Sequence, residues 1–133
     1  RASWAATPLI EAAGGGAIVH ISSISGFAAS TRTPPYAAIQ ATLMQYTKTQ
    51  ALELAPKNIR VNSVAPGSIY FEGGTWDDAR QHNPQLYQAI QNSIPSGRFG
   101  KPEEVADLTV YLASSAASWV TGQTIAVDGG QML

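Results

Sequence analysis

The middle of the chain reads Ile59-Arg60-Val61-Asn62-Ser63-Val64-Ala65, followed directly by Pro66-Gly67. Apolar residues at positions 59, 61 and 64 predict a strand over this segment. We expect Pro66-Gly67 to break the strand, because proline lacks the amide donor that a strand ladder uses. Turn residues bound two further short apolar segments, so the sequence also predicts strands over Ala17–Ser22 and Thr124–Val127.

Helical patterns separate the three predicted strands. The segment Tyr36–Ala55 is the longest without Gly or Pro, and Gln50 is the polar exception on its apolar stripe, which consists of Ile39, Leu43, Tyr46 and Leu54. A weaker pattern over Asp77–Asn92 predicts a helix interrupted at Pro84. Pro102 begins another helix, whose predicted buried stripe is Val105, Leu108 and Leu112.

The order strand, helix, strand, helix, strand is typical of a parallel sheet covered by helices. Three strands with their crossover helices amount to about half of a doubly wound, Rossmann-type sheet. The sequence therefore predicts an α/β fold, and we expect residues 1–133 to form one partial domain.

Composition excludes several functional classes. The 133 residues carry a net charge of −1, which argues against a nucleic-acid partner or an acidic membrane surface. The absence of cysteine excludes disulfides and thiolate chemistry, and the isolated His20 and His82 argue against a zinc site. No apolar run reaches the roughly 20 residues of a membrane span. Because no signal-peptide pattern is present, we expect a cytoplasmic protein.

Four segments in order resemble the C-terminal half of the classical short-chain dehydrogenase/reductases. They are Ile21–Gly26 with Tyr36 thirteen residues after Ser23, then Arg60–Gly67, Arg98–Ala106 and Thr121–Gly130. Each segment is weak evidence alone, but the set occurs at the spacing of the family and covers nearly the whole chain. The resemblance implies an NAD(P)-binding enzyme that transfers hydride between an alcohol and a carbonyl, in a dimer or tetramer.

The resemblance also assigns roles to residues. Ser23 corresponds to the serine that hydrogen-bonds the substrate oxygen, and Tyr36 corresponds to the general acid/base. Pro66, Gly67 and the backbone of Ile69 correspond to the segment that holds the nicotinamide carboxamide. Residues 68–97 correspond to the variable lid over the substrate. No metal is implied.

The active-site lysine of the family, four residues after the tyrosine, is replaced here by Gln40. A free tyrosine has a pKa of about 10, and a nearby cation lowers that pKa by favouring phenolate. Gln40 can hydrogen-bond a ribose hydroxyl but carries no charge. Lys48 lies roughly 18 Å further along the helix axis, which is too far to substitute, and Arg32 is the other candidate cation. We therefore predict impaired catalysis.

A glycine-rich phosphate loop is a second feature that the chain lacks. Gly14-Gly15-Gly16 precedes a predicted strand, whereas a phosphate-binding loop follows a strand and begins a helix. The residue that selects NAD or NADP also falls upstream of Arg1 in the family pattern. We therefore expect the chain to be part of a protein roughly twice as long. Phe71 stands where many members have a threonine, so only backbone contacts to the carboxamide carry over there.

The same residues also have purely structural interpretations. In these, Ser23 caps a turn, and Tyr36 is an aromatic residue that packs on the core. Asp128-Gly129-Gly130 is a turn, His20 is structural, and His82 is exposed. Two interpretations are open for three acidic residues: a charged rim of the substrate lid or, as the favoured one, ordinary solvated charges. These residues are Glu72, Asp77 and Asp78. Two interpretations stay open for three aromatic residues: they line an apolar substrate pocket, or they pack on a partner subunit. These residues are Tyr70, Phe71 and Trp76.

The alternative function is that of a non-catalytic subunit, which binds nucleotide or acts as a scaffold. A third interpretation is that the glutamine at position 40 was introduced to trap a complex.

Overall fold

The computed structural model describes all residues 1–133 and contains five α-helices and three strands. In chain order these are α1 (Ala2–Ala12), β1 (Gly16–Ile21), α2 (Pro34–Leu54), β2 (Ile59–Pro66), α3 (Thr75–His82), α4 (Pro84–Ser93), α5 (Pro102–Ala113) and β3 (Thr124–Val127). The predicted alternation of strand and helix is confirmed. Helix α2 begins at Pro34, two residues before the segment without Gly or Pro, because prolines 34 and 35 fit a first turn whose amides need no partner.

The three strands form one parallel sheet in the order β1-β2-β3. Ile21 pairs with Val64, and Pro66 pairs with Val127. Because the strands run in the same direction, their carboxyl ends lie at one edge of the sheet. The residues that follow the strands, Ser22, Gly67 and Asp128, therefore lie at that edge.

Helices cover both faces of the sheet. On one face, Ile59 and Val61 of β2 pack with Ala51 and Leu54 of α2, and Ile10 of α1 borders this cluster. On the other face, a second cluster joins β2 to α5 and the turn after it through Val64, Leu112 and Ala117. Alternate residues of a strand point to opposite faces, which is why a single strand contributes to both clusters.

The face of α2 that meets the sheet differs from the predicted stripe. Ile39 is 66% exposed, so its prediction as part of that stripe was wrong. The buried residues of α2 are Ala37, Met44, Thr47, Gln50, Ala51 and Leu54. Polar members of this set are tolerated because they are satisfied: Thr47 Oγ1 donates to the Leu43 carbonyl at 2.9 Å. In α5, Leu112 is fully buried and Val105 and Leu108 pack beside it, as predicted.

Two polar residues of β2 fasten the segments around it. The Arg60 guanidinium donates to the carbonyls of Leu112 at 2.7 Å and Ser114 at 2.9 Å, which satisfies acceptors left free at the end of α5. Asn62 Nδ2 donates to the Val120 carbonyl at 2.8 Å. These contacts give the Arg60–Asn62 segment a structural role.

None of the five helices combines the length and the apolar composition that crossing a membrane requires.

Candidate active site

The loop after β1 places Ser23 at the carboxyl edge of the sheet. Ser23 begins a 3-10 turn over Ile24–Gly26, and its Oγ accepts a hydrogen bond from the Ser25 amide at 3.2 Å. The turn-cap interpretation of Ser23 is therefore confirmed. The same side chain lines two adjoining cavities, so capping does not remove it from the candidate site.

Gly26 sets the distance between this loop and α2. A Cβ at position 26 would lie 2.8 Å from the Ala41 amide nitrogen and 2.9 Å from the Gln40 carbonyl carbon. Both contacts are with backbone and are closer than real Cβ atoms approach, so only glycine fits without a shift. This close contact packs the loop that carries Ser23 against the helix that carries Tyr36.

Two open cavities meet at the carboxyl edge. The larger, of about 550 Å³, extends under the loop of residues 28–33, and we call it the loop cavity. The smaller, of about 460 Å³, lies over the ends of β1 and β2, and we call it the strand-end cavity. Residues common to both walls are Ser23, Tyr36, Gly67, Thr75 and Trp76. Tyr36 lies in the first turn of α2 and is 48% exposed. The structure thus brings the predicted serine and tyrosine to the same two cavities.

The end of β2 forms the floor of the strand-end cavity. Pro66 is the last residue of β2, so the prediction that Pro66 breaks the strand was wrong by one residue. The Gly67 amide donates to β3, and the Ser63 amide donates to the segment just before β3. Because successive residues of a strand direct their amide nitrogens to opposite sides, the Pro66 nitrogen faces the β1 side. The pairing of β2 with β1 has already ended there, so no hydrogen bond is lost. Ile69 lines the same cavity, and its N–H has no hydrogen-bond partner within the chain.

Gln40 follows Tyr36 by one helical turn but lines neither cavity. Its Oε1 is buried and has no hydrogen-bond partner. Buried polar atoms are normally paired, so an unpaired carbonyl beside the candidate site needs an explanation. Lys48 lines a separate cavity with Ala41, so the prediction that it lies too far from Tyr36 agrees with the structure.

The model of a family described as "Enoyl-(Acyl carrier protein) reductase" matches residues 1–132. A 3-oxoacyl-[acyl-carrier-protein] reductase FabG of Aquifex aeolicus is 43% identical over 115 residues, which are 86% of this chain and 44% of that protein. The chain belongs to the classical short-chain dehydrogenase/reductase family.

Two other members of this family extend the comparison. Human dehydrogenase/reductase SDR family member 4 is 39% identical over 128 residues, covering 95% of this chain and 44% of that protein. A 7α-hydroxysteroid dehydrogenase, solved in complex with NADH and 7-oxo glycochenodeoxycholic acid, superposes with a TM-score of 0.86 at 34% identity, covering 96% of this chain and 49% of that one. The chain spans 44% of the length of both curated relatives. Its three parallel strands and helices are those of the Rossmann-type fold of the family.

Asp77 is buried, contrary to the prediction that it is a solvated charge. Its carboxylate accepts from the Tyr70 hydroxyl at 2.8 Å, the Gly73 amide at 3.0 Å, Arg80 at 3.0 Å and Gln81 at 3.2 Å. The Gly73 amide, followed by the Tyr70 hydroxyl, lowers the pKa of Asp77 below its ordinary value. Sequence reasoning missed this cluster, although an acidic residue in a helix's first turn was a usable signal.

The aromatic residues of the segment 68–97 divide into two groups. Phe71 and Trp76 line the strand-end cavity, which agrees with the pocket interpretation. Tyr70 lines neither the loop cavity nor the strand-end cavity, and it packs edge-on against Tyr87. The hydrogen bond to Asp77 raises the pKa of Tyr70 above 10.0.

The remaining predicted candidates are structural or peripheral. His20 Nε2 lies 3.0 Å from Gln50 Oε1, so both are satisfied within the fold. His82 is exposed and pairs with Asp78. Asp128 Oδ1 accepts from the Gly130 amide at 2.9 Å, as expected of a turn. No group of three or more His, Cys, Asp or Glu side chains is placed to hold a metal ion.

Proposed function

We propose that the intact protein interconverts an alcohol and a carbonyl with NAD or NADP, with Ser23 and Tyr36 as its catalytic residues. The observation that carries this proposal is that both side chains line the same two cavities, beside Gly67 and at the carboxyl ends of the strands. Open α/β sheets bind ligands at this edge. The 7-oxo ligand and NADH of the structural relative fit the same chemistry.

The residues present fit the nicotinamide end of such a cofactor. The unpartnered N–H of Ile69, in the wall of the strand-end cavity, is a donor for a carboxamide oxygen. The unpartnered Oε1 of Gln40 is an acceptor for a ribose hydroxyl, but it is buried outside both cavities, so the side chain must turn outward to make this contact. We propose that Tyr36, Gln40, Pro66, Gly67 and Ile69 hold this end. When bound, the dinucleotide supplies or accepts the hydride.

The chain's own groups handle the proton and the oxygen. In the reducing direction, Tyr36 Oη gives a proton to the carbonyl oxygen as the carbon receives hydride, so a C–H and an O–H bond form together. Ser23 Oγ donates a hydrogen bond to the same oxygen and stabilises the negative charge that develops there. Its bond to Ser25 Oγ is long, at 3.3 Å, and gives way to this stronger acceptor.

Gln40 supports a second candidate function. Its side chain is neutral and lies outside both cavities, so it does not supply the charge that lowers the pKa of a tyrosine. A nucleotide-binding subunit without turnover is therefore the alternative.

We also propose that residues 1–133 are one partial Rossmann domain and that residues 68–97 are its substrate lid. We further propose that the protein is a cytoplasmic dimer or tetramer. Leu52 on α2 is 82% exposed, which supports an interface on that helix.

The test is oxidation of NADH and NADPH by the intact protein with a panel of aldehydes and ketones. We expect slow turnover that Tyr36→Phe removes. Tyr111→Phe is the matched control, because Tyr111 is 44% exposed on the far side of the sheet and touches neither cavity. Dinucleotide binding without turnover of any carbonyl would favour the non-catalytic subunit. Equal activity of wild type and Tyr36→Phe would remove the assignment of Tyr36.

A further inference from the structure

Arg32 is the only charged residue in the wall of either cavity. It lines the loop cavity, and no Asp or Glu lines the loop cavity or the strand-end cavity. Its guanidinium carbon lies 5.4 Å from the centroid of the Trp76 ring. A cation over the face of a tryptophan is attracted by the ring, which holds the guanidinium at the wall of the cavity.

A second arginine shows what Arg32 lacks. Arg80 lies over the Tyr70 ring at 5.3 Å and also donates to Asp77 Oδ1 at 3.0 Å. Arg32 has the corresponding aromatic contact but no carboxylate partner and no hydrogen bond within the chain. The planar guanidinium fork fits a carboxylate or a phosphate with two parallel hydrogen bonds. The stacked position leaves this fork available to an anion from outside the chain.

The rest of the loop cavity is polar. Half of its sixteen lining residues carry a hydroxyl group, among them Ser30, Thr33, Thr75 and Ser93. Such a wall suits a small ligand with several polar atoms better than a long hydrocarbon. Ser23 and Tyr36 line the same cavity as Arg32, so a single ligand of matching length can contact both the reacting groups and the cation.

We propose that the substrate is an anionic carbonyl or hydroxy compound, whose carboxylate or phosphate binds Arg32 over Trp76 while its reacting oxygen lies at Ser23 and Tyr36. This inference rests on the proposed function. Arg32 then determines specificity, and it acts on binding of the anion and not on the proton of Tyr36.

Binding in the intact protein tests this without turnover. Calorimetric titration measures the affinity for each ligand with and without NAD+ or NADP+. In one arm, the carboxylates 2-oxopropanoate, 3-oxobutanoate and 4-oxopentanoate are compared with their methyl esters. In the other arm, dihydroxyacetone phosphate is compared with dihydroxyacetone. An oxo compound cannot be reduced by the oxidised dinucleotide. We expect at least one acid or phosphate to bind about tenfold or more tightly than its neutral partner, because hydrogen bonds to charged groups are strong. The two arms distinguish a carboxylate from a phosphate.

Variants assign the effect to Arg32. Arg32→Gln is expected to remove the preference for the anion and leave affinity for the neutral partner unchanged, while Arg32→Lys keeps part of the preference. Lys48→Gln is the control, since it also removes one positive charge but at an exposed residue that lines neither cavity. Anion binding without turnover would keep Arg32 as the residue that binds the anion and would remove the proposed function. Equal binding of charged and neutral partners, or an equal fall for both in Arg32→Gln, would overturn this inference.

Discussion

The Tyr70 hydroxyl donates a 2.8 Å hydrogen bond to Asp77 Oδ1, and this bond joins the segment that leaves β2 to the first turn of α3. The other oxygen of the carboxylate accepts the Gly73 amide at 3.0 Å, which closes the turn between them. Trp76, the neighbour of Asp77 in sequence, lines both cavities. A buried carboxylate therefore fixes the position of an aromatic wall of the candidate site.

Asp77→Asn tests this positioning. The amide keeps one acceptor oxygen but loses the charge that Arg80 and the Tyr70 hydroxyl contact, so we expect a lower melting temperature. In a background in which Trp4 and Trp119 are replaced by Phe, we also expect a red-shifted, more quenchable emission from Trp76. Asp78→Asn is the matched control, because that side chain is 73% exposed and pairs only with His82. Emission that shifts equally in both variants would show that Asp77 does not position Trp76.

Acid should weaken the fold through Glu104. Hydrogen bonds from Arg98, then from the Lys101 amide, lower the pKa of Glu104 from 4.5 to about 2. A carboxyl with a lowered pKa stabilises the fold fully above its unfolded pKa, and this stability disappears as the pH falls from about 4.5 towards 2. We expect Glu104→Gln to unfold at lower temperature than wild type at pH 7 and at nearly the same temperature near pH 2. Glu103→Gln, one residue away, should match wild type throughout; equal behaviour of the two variants would contradict the role of Arg98.

Gln40→Lys should raise turnover if the missing charge limits catalysis. A lysine one turn after Tyr36 favours the phenolate, and positioned acid–base catalysis is worth about 10²-fold or more. The readout is kcat for the best carbonyl of the panel, together with its pH profile, whose basic limb should move to lower pH. Gln45→Lys adds the same charge on an exposed part of the same helix and should leave kcat unchanged. Unchanged turnover in Gln40→Lys would show that charge was not the limitation.

Gly26→Ala should separate the loop of Ser23 from α2. The added Cβ meets backbone atoms of Gln40 and Ala41 at under 3 Å, so loop or helix must shift, at a cost of about 1–3 kcal/mol of unfolding free energy. We expect turnover to fall together with the melting temperature. In Gly14→Ala the Cβ meets nothing within 4 Å and the strain is that of a positive φ alone, so stability falls while turnover is kept. Full activity in Gly26→Ala would show that this contact does not position Ser23.

The sheet could be predicted from the sequence because its strands are short apolar segments between turn residues. β3 has the predicted bounds Thr124–Val127, and β1 differs from its prediction by one residue at each end. The serine and tyrosine could be placed together because the four motifs occur in the order and spacing of a known family. Because the strands are parallel, the loops after β1 and β2 then had to lie at the same edge of the sheet.

The failures came from side chains whose surroundings only the tertiary structure supplies. Ile39 is apolar but exposed, whereas Gln50 is polar and 2% exposed because its Oε1 accepts a hydrogen bond from His20 Nε2. Asp77 looked like an ordinary surface charge, since its partners Tyr70 and Gly73 precede the helix in an irregular segment with no periodicity. Hydrophobicity and period therefore ranked Ile39 and Asp77 wrongly, whereas Gln50 lies on the buried face of α2, as predicted.

Hydrogen bonds from Arg60 connect the last turn of α5 to the central strand, β2. Opening that turn requires the guanidinium to give up carbonyls of Leu112 and Ser114 while it lies beside a fully buried part of the sheet. Amides at the end of a helix usually exchange with deuterium early through fraying, but here the contacts from β2 should slow their exchange. We therefore expect the end of α5 to open together with β2, the strand whose last residues form the floor of the candidate site.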